Sequence, residues 1–453
     1  MSIKVLIANR GEIALRVIRA CKELGIPTVA IYSTADEDSL HVKFADEAIC
    51  IGEPESQKSY LNLNQVLSAA ISTGCNAIHP GYGFLAENPL FVEMVEECGI
   101  TFIGPSSKVV KQMGDKAEAR KLAIASGIPV VMGSNGTVDD IEKGLSIAKK
   151  IGYPVMIKAT SGGGGRGIGI ASSDNDFRQV FEKTSLEAKV SFGNPSLYIE
   201  KFIDSPRHIE MQILCDQFGS CVHLFERDCS LQRRNQKLLE EAPAVSMSND
   251  LRDKMGKAAV DLAKSVGYVG AGTIEFLVDK QENFYFIEMN TRIQVEHPIT
   301  EMITGVDLVK EQIKIAQKKP LSFTQDDLRI NGHAIECRIN AEDPYHNFMP
   351  RPGKIKNIVF PGGFGVRLDT HIYSGYTVNS YYDSMLAKII VHAPTRTEAI
   401  RKMRVALEQF VIEGVTTNIE YQYLLVHNTD FIKGQYDTGF IARFQALLEE
   451  AIR

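Results

Sequence analysis

The chain has 453 residues, of which 44% are hydrophobic and 23% charged, with a formal net charge of −6. That length leaves room for about three domains and a large core, and the acidic balance argues against a general nucleic-acid binder. The opening MSIKVLIANRGE has no signal-peptide h-region with a cleavage site, and no run of roughly 18 apolar residues follows, so a soluble cytoplasmic protein without a membrane partner is expected.

Residues 1 to 114 alternate strand-like and helix-like runs: KVLIA, ALRVIRACKELG, TVAIYS, DEAICIG, NAIHPGYGF and TFIGP. Such alternation predicts a parallel sheet covered by helices on both faces. The first turn carries Asn9-Arg10-Gly11-Glu12 in place of GxGxxG, which leaves a dinucleotide site unsupported. A Lys- and Ala-rich helix follows, GDKAEARKLAIASG, with Lys116 in its first turn. The strand YPVMIKA then ends near Lys158 and runs into four glycines, Gly162 to Gly165, before Arg166 and Gly167. Glycines let the backbone approach a ligand and offer successive N–H groups to phosphate. The loop lacks the GK[ST] ending of a P-loop and reads as a phosphate-covering flap.

Strands are predicted over HIEMQILCD and CVHLFERDCS, with a charged loop over QRRNQK. Helices are predicted over residues 251 to 266 and 306 to 317. Beyond Ile330, the runs HAIECRI, KIKNIVF, GVRLDTHI and SMLAKIIVHA predict an antiparallel sheet, followed by a helix from Arg396 to Gln409 and a helical tail. The eight cysteines are scattered without a CxxC pair, which predicts reduced thiols rather than a zinc site or a disulfide framework.

The most informative stretch is GTIEFLV followed by FYFIEMNTRIQVEHP. Both runs read as strands, and residues two apart on a strand share a face, so Glu288 and Asn290 point the same way. A hairpin turning about Gln281 and Glu282 sets Glu275 opposite Glu288. Like charges directly opposed destabilise a sheet, and a hard divalent cation such as Mg²⁺, which takes one or two carboxylates plus phosphate oxygens and water, is the natural compensation.

The segments ANRGEIALRVIRA, AIHPGYGFLAEN, IKATSGGGGRG, ERDCSLQRRNQK, GAGTIEFL, FIEMNTRIQVEHPITEMITGVDLV and GHAIECRINAEDP, in this order and spacing, resemble biotin carboxylase, the ATP-grasp component of biotin-dependent carboxylases. The resemblance spans roughly the whole chain. It implies an α/β, ATP-grasp fold: a doubly wound N-terminal domain (1–114), an ATP-grasp domain (115–317) with a glycine-rich lid subdomain (133–203), and a C-terminal α/β domain (330–445). Nucleotide would lie between two antiparallel sheets.

What the resemblance implies for the site follows residue by residue. Lys116 and Lys158 resemble the lysines that reach the ATP phosphates, and Gly163, Gly164 and Gly165 the tip of the lid. Glu200, Lys201 and Ile203 resemble the adenine-holding hinge, with His208 and Gln232 near the nucleotide. Glu275, Glu288 and Asn290 resemble the metal-binding set for Mg²⁺, with Mn²⁺ as an alternative ion. Lys237, Arg292, Gln294, Val295 and Arg338 would receive bicarbonate and biotin. Glu296 would deprotonate bicarbonate, and Arg338 would stabilise the biotin oxyanion.

The resemblance further implies a homodimer, with contacts at Arg16, Arg19, Glu23, Phe364 and Arg367. No MKM tripeptide of a biotin acceptor occurs, so biotin is expected on a separate biotin carboxyl carrier protein, with separate carboxyltransferase subunits. An acetyl-CoA carboxylase component of fatty acid synthesis is expected; the alternatives are a pyruvate or propionyl-CoA carboxylase component, which shares every motif, another ATP-grasp ligase, or a non-catalytic ATP-grasp scaffold. The sequence departs from the family at Asn235, where RRHQK is usual; an amide keeps hydrogen-bonding capacity but loses the ring and any charge.

Overall fold

Five parallel strands open the chain: β1 (Val5–Ile7), β2 (Thr28–Tyr32), β3 (Glu47–Cys50), β4 (Ala77–His79) and β5 (Thr101–Phe102), in the spatial order β3-β2-β1-β4-β5. The computed structural model describes residues 3–134, 136–160, 167–245 and 247–452. Helix α1 (Gly11–Glu23) begins at the predicted turn and buries Ile13, Ala14, Val17, Ile18 and Cys21, an i, i+4, i+8 stripe facing the core. Its N-cap residue, Arg10, makes no side-chain capping bond. The guanidinium instead donates to both carboxylate oxygens of Asp36, at 2.6 and 2.7 Å.

The lid subdomain is a three-stranded antiparallel sheet in the order β7-β6-β8, made of β6 (Val155–Ala159), β7 (Ile168–Ala171) and β8 (Leu197–Lys201). Helices α2 (Ile141–Ile151) and α3 (Asp174–Phe192) pack on it through Leu145, Ala148, Phe177 and Phe181. The glycine tip predicted to cover phosphate, Gly163 to Gly165 included, lies outside the described residues.

One eight-stranded antiparallel sheet forms the body of the molecule. It contains β9 (Arg207–Cys215), β10 (Cys221–Arg233), β11 (Gln236–Ala242), β12 (Gly270–Val278), β13 (Phe284–Asn290), β14 (His333–Asn340), β15 (Val366–Thr370) and β16 (Met385–Ala393). Its order is β13-β12-β9-β10-β11-β14-β16-β15. The C-terminal strands therefore extend the ATP-grasp sheet through the β11–β14 pairing and do not form a sheet of their own. KIKNIVF is not part of it; Asn357–Val359 pairs with Val411–Glu413. Helix α4 (His297–Thr304) packs against β10, β11, β14 and β16.

Two sequence expectations are corrected here. QRRNQK is two strand ends joined by an exposed two-residue hairpin turn, Arg234 at φ 49° and Asn235 at φ 63°, and not a charged loop. Asparagine tolerates positive φ, and the tight turn sets Gln232 directly opposite Lys237. The expectation of uniformly reduced thiols fails at Cys215 and Cys221, which stand opposite each other on β9 and β10 and are joined as a disulfide. The sequence spacing of six concealed the pair because a hairpin, and not a CxxC turn, brings it together.

The β12–β13 hairpin agrees with its prediction by an indirect route. The turn spans five residues, closed by Asp279 N–H donating to Asn283 O at 3.0 Å, and Val278 pairs with Phe284. That centres the turn on Gln281, half a residue from the expected point. A register shift between Glu275 and Phe276 then leaves Ile287 as the extra residue of a bulge, and Glu275 falls opposite Glu288 after all.

Candidate active site

Alternation along β9 places His208, Glu210 and Gln212 on one face, and the same face of β12 carries Thr273 and Glu275. Arg227 of β10 lies beneath them, wholly buried. It donates to Glu210 Oε1 at 2.5 Å, Gln212 Oε1 at 2.6 Å, and the hydroxyls of Thr273 and Thr300 at 3.0 Å each. A buried guanidinium with this many acceptors is satisfied, which is the condition for burying its charge.

Lys237 is the hub above this floor. Its ammonium lies 2.5 Å from Glu296 Oε1, 2.6 Å from Glu210 Oε2, 3.2 Å from Glu275 Oε1 and 3.1 Å from Gln294 Oε1. Burial acts to lower its pKa, but the surrounding carboxylates overcome that and hold it well above the ordinary lysine value. Glu275 also takes His208 Nε2 at 3.0 Å and the amide groups of Asn290 and Gln294 at 2.9 and 3.1 Å. Burial pushes its carboxyl up, yet Lys237 and His208 pull it well below the usual carboxylate range.

Glu288, opposite Glu275, behaves in the contrary sense. Burial and the neighbouring Glu275 charge raise its carboxyl, and Lys116, at 3.6 Å, is the cation facing it. Two hard carboxylates across one ladder are a donor pair suited to Mg²⁺, and the Asn290 amide turns its nitrogen to Glu275. The Asn290 oxygen accepts from Arg292 at 3.0 Å, so the amide links Glu275 to Arg292. Arg292 in turn donates to Glu87 Oε2 at 2.8 Å.

Glu296 occupies the N-cap of α4 but gives its helix no side-chain capping bond. The carboxylate turns toward the sheet, where Lys237 meets one oxygen and Arg338 Nη2 the other at 3.0 Å. Burial would raise its pKa; Lys237, Arg338 and Arg227 together hold it well below the normal value. Arg338 extends from β14 and is also gripped by Glu240 Oε1, at 2.6 Å from Nε. Lys388 of β16 donates to Val295 O at 2.7 Å and fixes the backbone just before Glu296.

The remaining expected residues sort plainly. Lys158 pairs with Glu200 inside the lid sheet. The Lys201 ammonium donates to the carbonyls of Gly152 and Tyr153 at 2.9 Å each, so its side chain braces the lid base and leaves only its backbone for a nucleotide. Ile203 lies between β8 and β9. Glu87, Glu210, Arg227, Glu240 and Lys388 were missed by sequence reasoning. For Glu210 the signal was present, since HIEMQIL alternates; Glu87 and Lys388 come from distant segments that only the fold joins.

A three-stranded lid carrying Lys158, joined to an antiparallel sheet carrying opposed carboxylates, is the architecture of an ATP-grasp ligase. Three family models match the chain: Biotin carboxylase, N-terminal domain, over residues 1–110; Carbamoyl-phosphate synthase L chain, ATP binding domain, over 115–324; and Biotin carboxylase C-terminal domain, over 336–443. The chain belongs to the biotin carboxylase family. It is 55% identical to the biotin carboxylase of Nostoc sp. over 438 residues, 97% of this chain and 98% of that one, and 54% identical to biotin carboxylase 1 of Bacillus subtilis over 445 residues, 98% and 99%. A Campylobacter jejuni biotin carboxylase in complex with β,γ-ATP superposes with a TM-score of 0.94 at 46% identity, covering 97% of this chain and 98% of that one. The biotin carboxylase domain dimer of the Hydrogenobacter thermophilus 2-oxoglutarate carboxylase, with MgADP, ADP and bicarbonate, gives 0.92 at 50%, covering 97% of each.

Proposed function

We propose that this chain carboxylates biotin held on a separate carrier protein, using bicarbonate and MgATP through carboxyphosphate, as the first half-reaction of an acetyl-CoA carboxylase. The observation that carries this reading is the seating of Glu296 between Lys237 and Arg338, beside the opposed pair Glu275 and Glu288. A base, two anion-binding cations and a metal-binding carboxylate pair then share one small volume.

The residue roles follow from charge. Lys116 and Lys158 supply ammonium groups for the nucleotide phosphates. Glu275 and Glu288, with Asn290, would hold Mg²⁺, which neutralises developing phosphate charge during transfer. Arg292 and Lys237 draw bicarbonate toward Glu296. As the bicarbonate anion shares those cations, their hold on Glu296 weakens and its basicity rises, so it can take the bicarbonate proton while the oxygen attacks the γ-phosphoryl group and the bond to the β-phosphate breaks, releasing ADP. Carboxyphosphate yields CO₂ and phosphate; phosphate takes the proton of the biotin ureido nitrogen, Arg338 stabilises the resulting oxyanion, and the nitrogen attacks CO₂ to give carboxybiotin.

The direct test is ATP hydrolysis by the purified protein. Release of phosphate that requires bicarbonate and is accelerated by free biotin supports the reading, and release that requires another acceptor overturns it. A second reading of the final acceptor, a keto acid, is favoured by the 50% identity to the 2-oxoglutarate carboxylase domain and 51% to the biotin carboxylase subunit of a pyruvate carboxylase. Co-purification with acetyl-CoA or keto-acid carboxyltransferase subunits separates the two.

A homodimer is part of the proposal. Arg16 bonds Glu301 at 2.9 Å and Asp307 at 2.5 Å, Arg367 bonds Glu301 at 2.7 Å, and together with Arg19 and Glu23 they line a cavity of about 430 Å³. Phe364, on the approach to β15, is 96% exposed. Light scattering at micromolar concentration should report twice the chain mass.

A further inference from the structure

Arg338 is held by two carboxylates that differ in access to the site. Glu296 lies at the start of α4 and belongs to the base machinery; Glu240, on β11, has no exposed surface at all. Glu240 spends one oxygen on two guanidinium nitrogens, Nε at 2.6 Å and Nη2 at 2.5 Å, and its other oxygen has no hydrogen-bond partner among the described residues. It is placed to hold Arg338 and cannot reach a substrate.

Glu336 stands directly opposite Glu240 across the β11–β14 ladder, also fully buried, with neither oxygen receiving a hydrogen bond among the described residues. Like charges so opposed are unfavourable. Burial drives the Glu336 carboxyl well above its ordinary pKa, and neither of its oxygens bonds Arg338 among the described residues.

We infer that Glu240 is a positioning residue that keeps Arg338 in place when Glu296 gives up its own hold on taking the proton from bicarbonate. In the resting arrangement both carboxylates clamp the arginine. Once Glu296 is protonated its attraction for Arg338 drops, and without Glu240 the guanidinium would be free to swing away before biotin needs it. This inference rests on the carboxylation reading above.

The charge of Glu240 then decides the second half of the reaction. The groups facing it are Arg338, Glu336 and Cys337 on β14, Glu296 on α4, Cys229 on β10 and Lys237 on its own strand. Burial raises its pKa first and foremost, Arg338 opposes and Glu296 adds, and the balance sits at about 7. Acidification below that value neutralises the carboxylate and loosens Arg338, so biotin carboxylation should fall as pH drops through neutrality.

The test is Glu240→Gln, which keeps the acceptor oxygen and removes the charge. The expected result is a fall in kcat for biotin carboxylation of about 10- to 100-fold, KM for ATP within about twofold, and loss of the acid limb near pH 7. A kcat within twofold of the parent with the limb intact would overturn the inference. If the variant does not fold by circular dichroism, the parent protein decides: an acid limb near pH 7 in biotin carboxylation that biotin-independent ATP cleavage lacks supports it, and a profile flat from pH 6 to 8 overturns it. A parent protein with no biotin-dependent turnover at any pH refutes the carboxylation reading itself, a distinct outcome.

Discussion

The Lys237 ammonium stands 2.5 Å from Glu296 and 3.2 Å from Glu275, so one cation ties the proposed carboxylation base to the proposed metal-binding carboxylate. It also meets Glu210 at 2.6 Å. Removing it would strand three buried carboxylates at once. Lys237→Gln should therefore lower bicarbonate-dependent ATP cleavage by on the order of 10² or more, and should cost about 3 to 5 kcal/mol of stability, as breaking a buried ion pair does. Steady-state kinetics and urea denaturation on the same preparation check both. Loss of activity without loss of stability would mean that the carboxylates repair themselves by protonation.

Glu288 faces Glu275, with Lys116 at 3.6 Å and His208 offsetting its charge. Glu288→Gln removes that charge and keeps the shape. Apparent Mg²⁺ affinity should fall by about 10- to 100-fold, the range for weakened metal sites, with partial recovery of turnover at high Mg²⁺. Titrating Mg²⁺ at saturating ATP reads this, and an unchanged titration removes Glu288 from the metal set.

How far the sequence reached is seen best at two hairpins. Glu275 and Glu288 were legible because strand alternation has a period of two and the turn residues were recognisable; the five-residue turn and the compensating bulge were not, since a bulge leaves no mark in composition. At QRRNQK the charges suggested solvation, while the positive φ of Arg234 and Asn235 makes a tight turn that delivers Lys237 to the hub. Asn235 is exposed at that turn, a place that suits an amide on backbone grounds alone. Contacts joining distant segments, such as Glu87 with Arg292 or Lys388 with Val295, exist only once the domains are packed and have no local signature. The continuous eight-stranded sheet was hidden for the same reason, because β11 and β14 are separated by some ninety residues, as the Glu240 and Glu336 numbers show.

His79, at the end of β4, is wholly buried, and its Nδ1 accepts the Gly81 N–H at 3.0 Å. Burial lowers its pKa to about 4. The unfolded chain, with an imidazole value of about 6.5, binds more protons than the native state between those two values. Stability contributed by neutral His79 is thus present above about pH 6.5 and is lost as pH falls toward 4, at about 1.4 kcal/mol per pH unit. His79→Asn retains an acceptor near Nδ1 and cannot titrate. Urea denaturation at pH 6.5 and pH 5 should show a pH slope smaller than the parent's by about that amount, whatever the variant's absolute stability. Equal slopes would mean that His79 is protonated in the folded protein.

Glu296 and Arg338 touch each other at 3.0 Å, yet the proposed chemistry assigns them to different half-reactions. Glu296→Ala removes the base that accepts the bicarbonate proton, so bicarbonate-dependent ATP cleavage should fall by roughly 10² to 10⁴, with nucleotide affinity little changed because Glu275, Glu288 and the lysines remain. Arg338→Ala removes the cation that receives the biotin oxyanion, so biotin carboxylation should fall by on the order of 10² to 10³ while more of the bicarbonate-dependent ATP cleavage survives. The shared salt bridge complicates the second variant in a known direction: losing Arg338 takes one of three cations from Glu296, which raises its pKa and makes it a stronger base. ATP cleavage in Arg338→Ala should then be spared, and its acid limb should move to higher pH. Both activities are measured on both variants across pH, together with nucleotide affinity. Intact ATP cleavage in Glu296→Ala, or an equal loss of both activities in Arg338→Ala, would show that the two residues act as one unit and not in sequence.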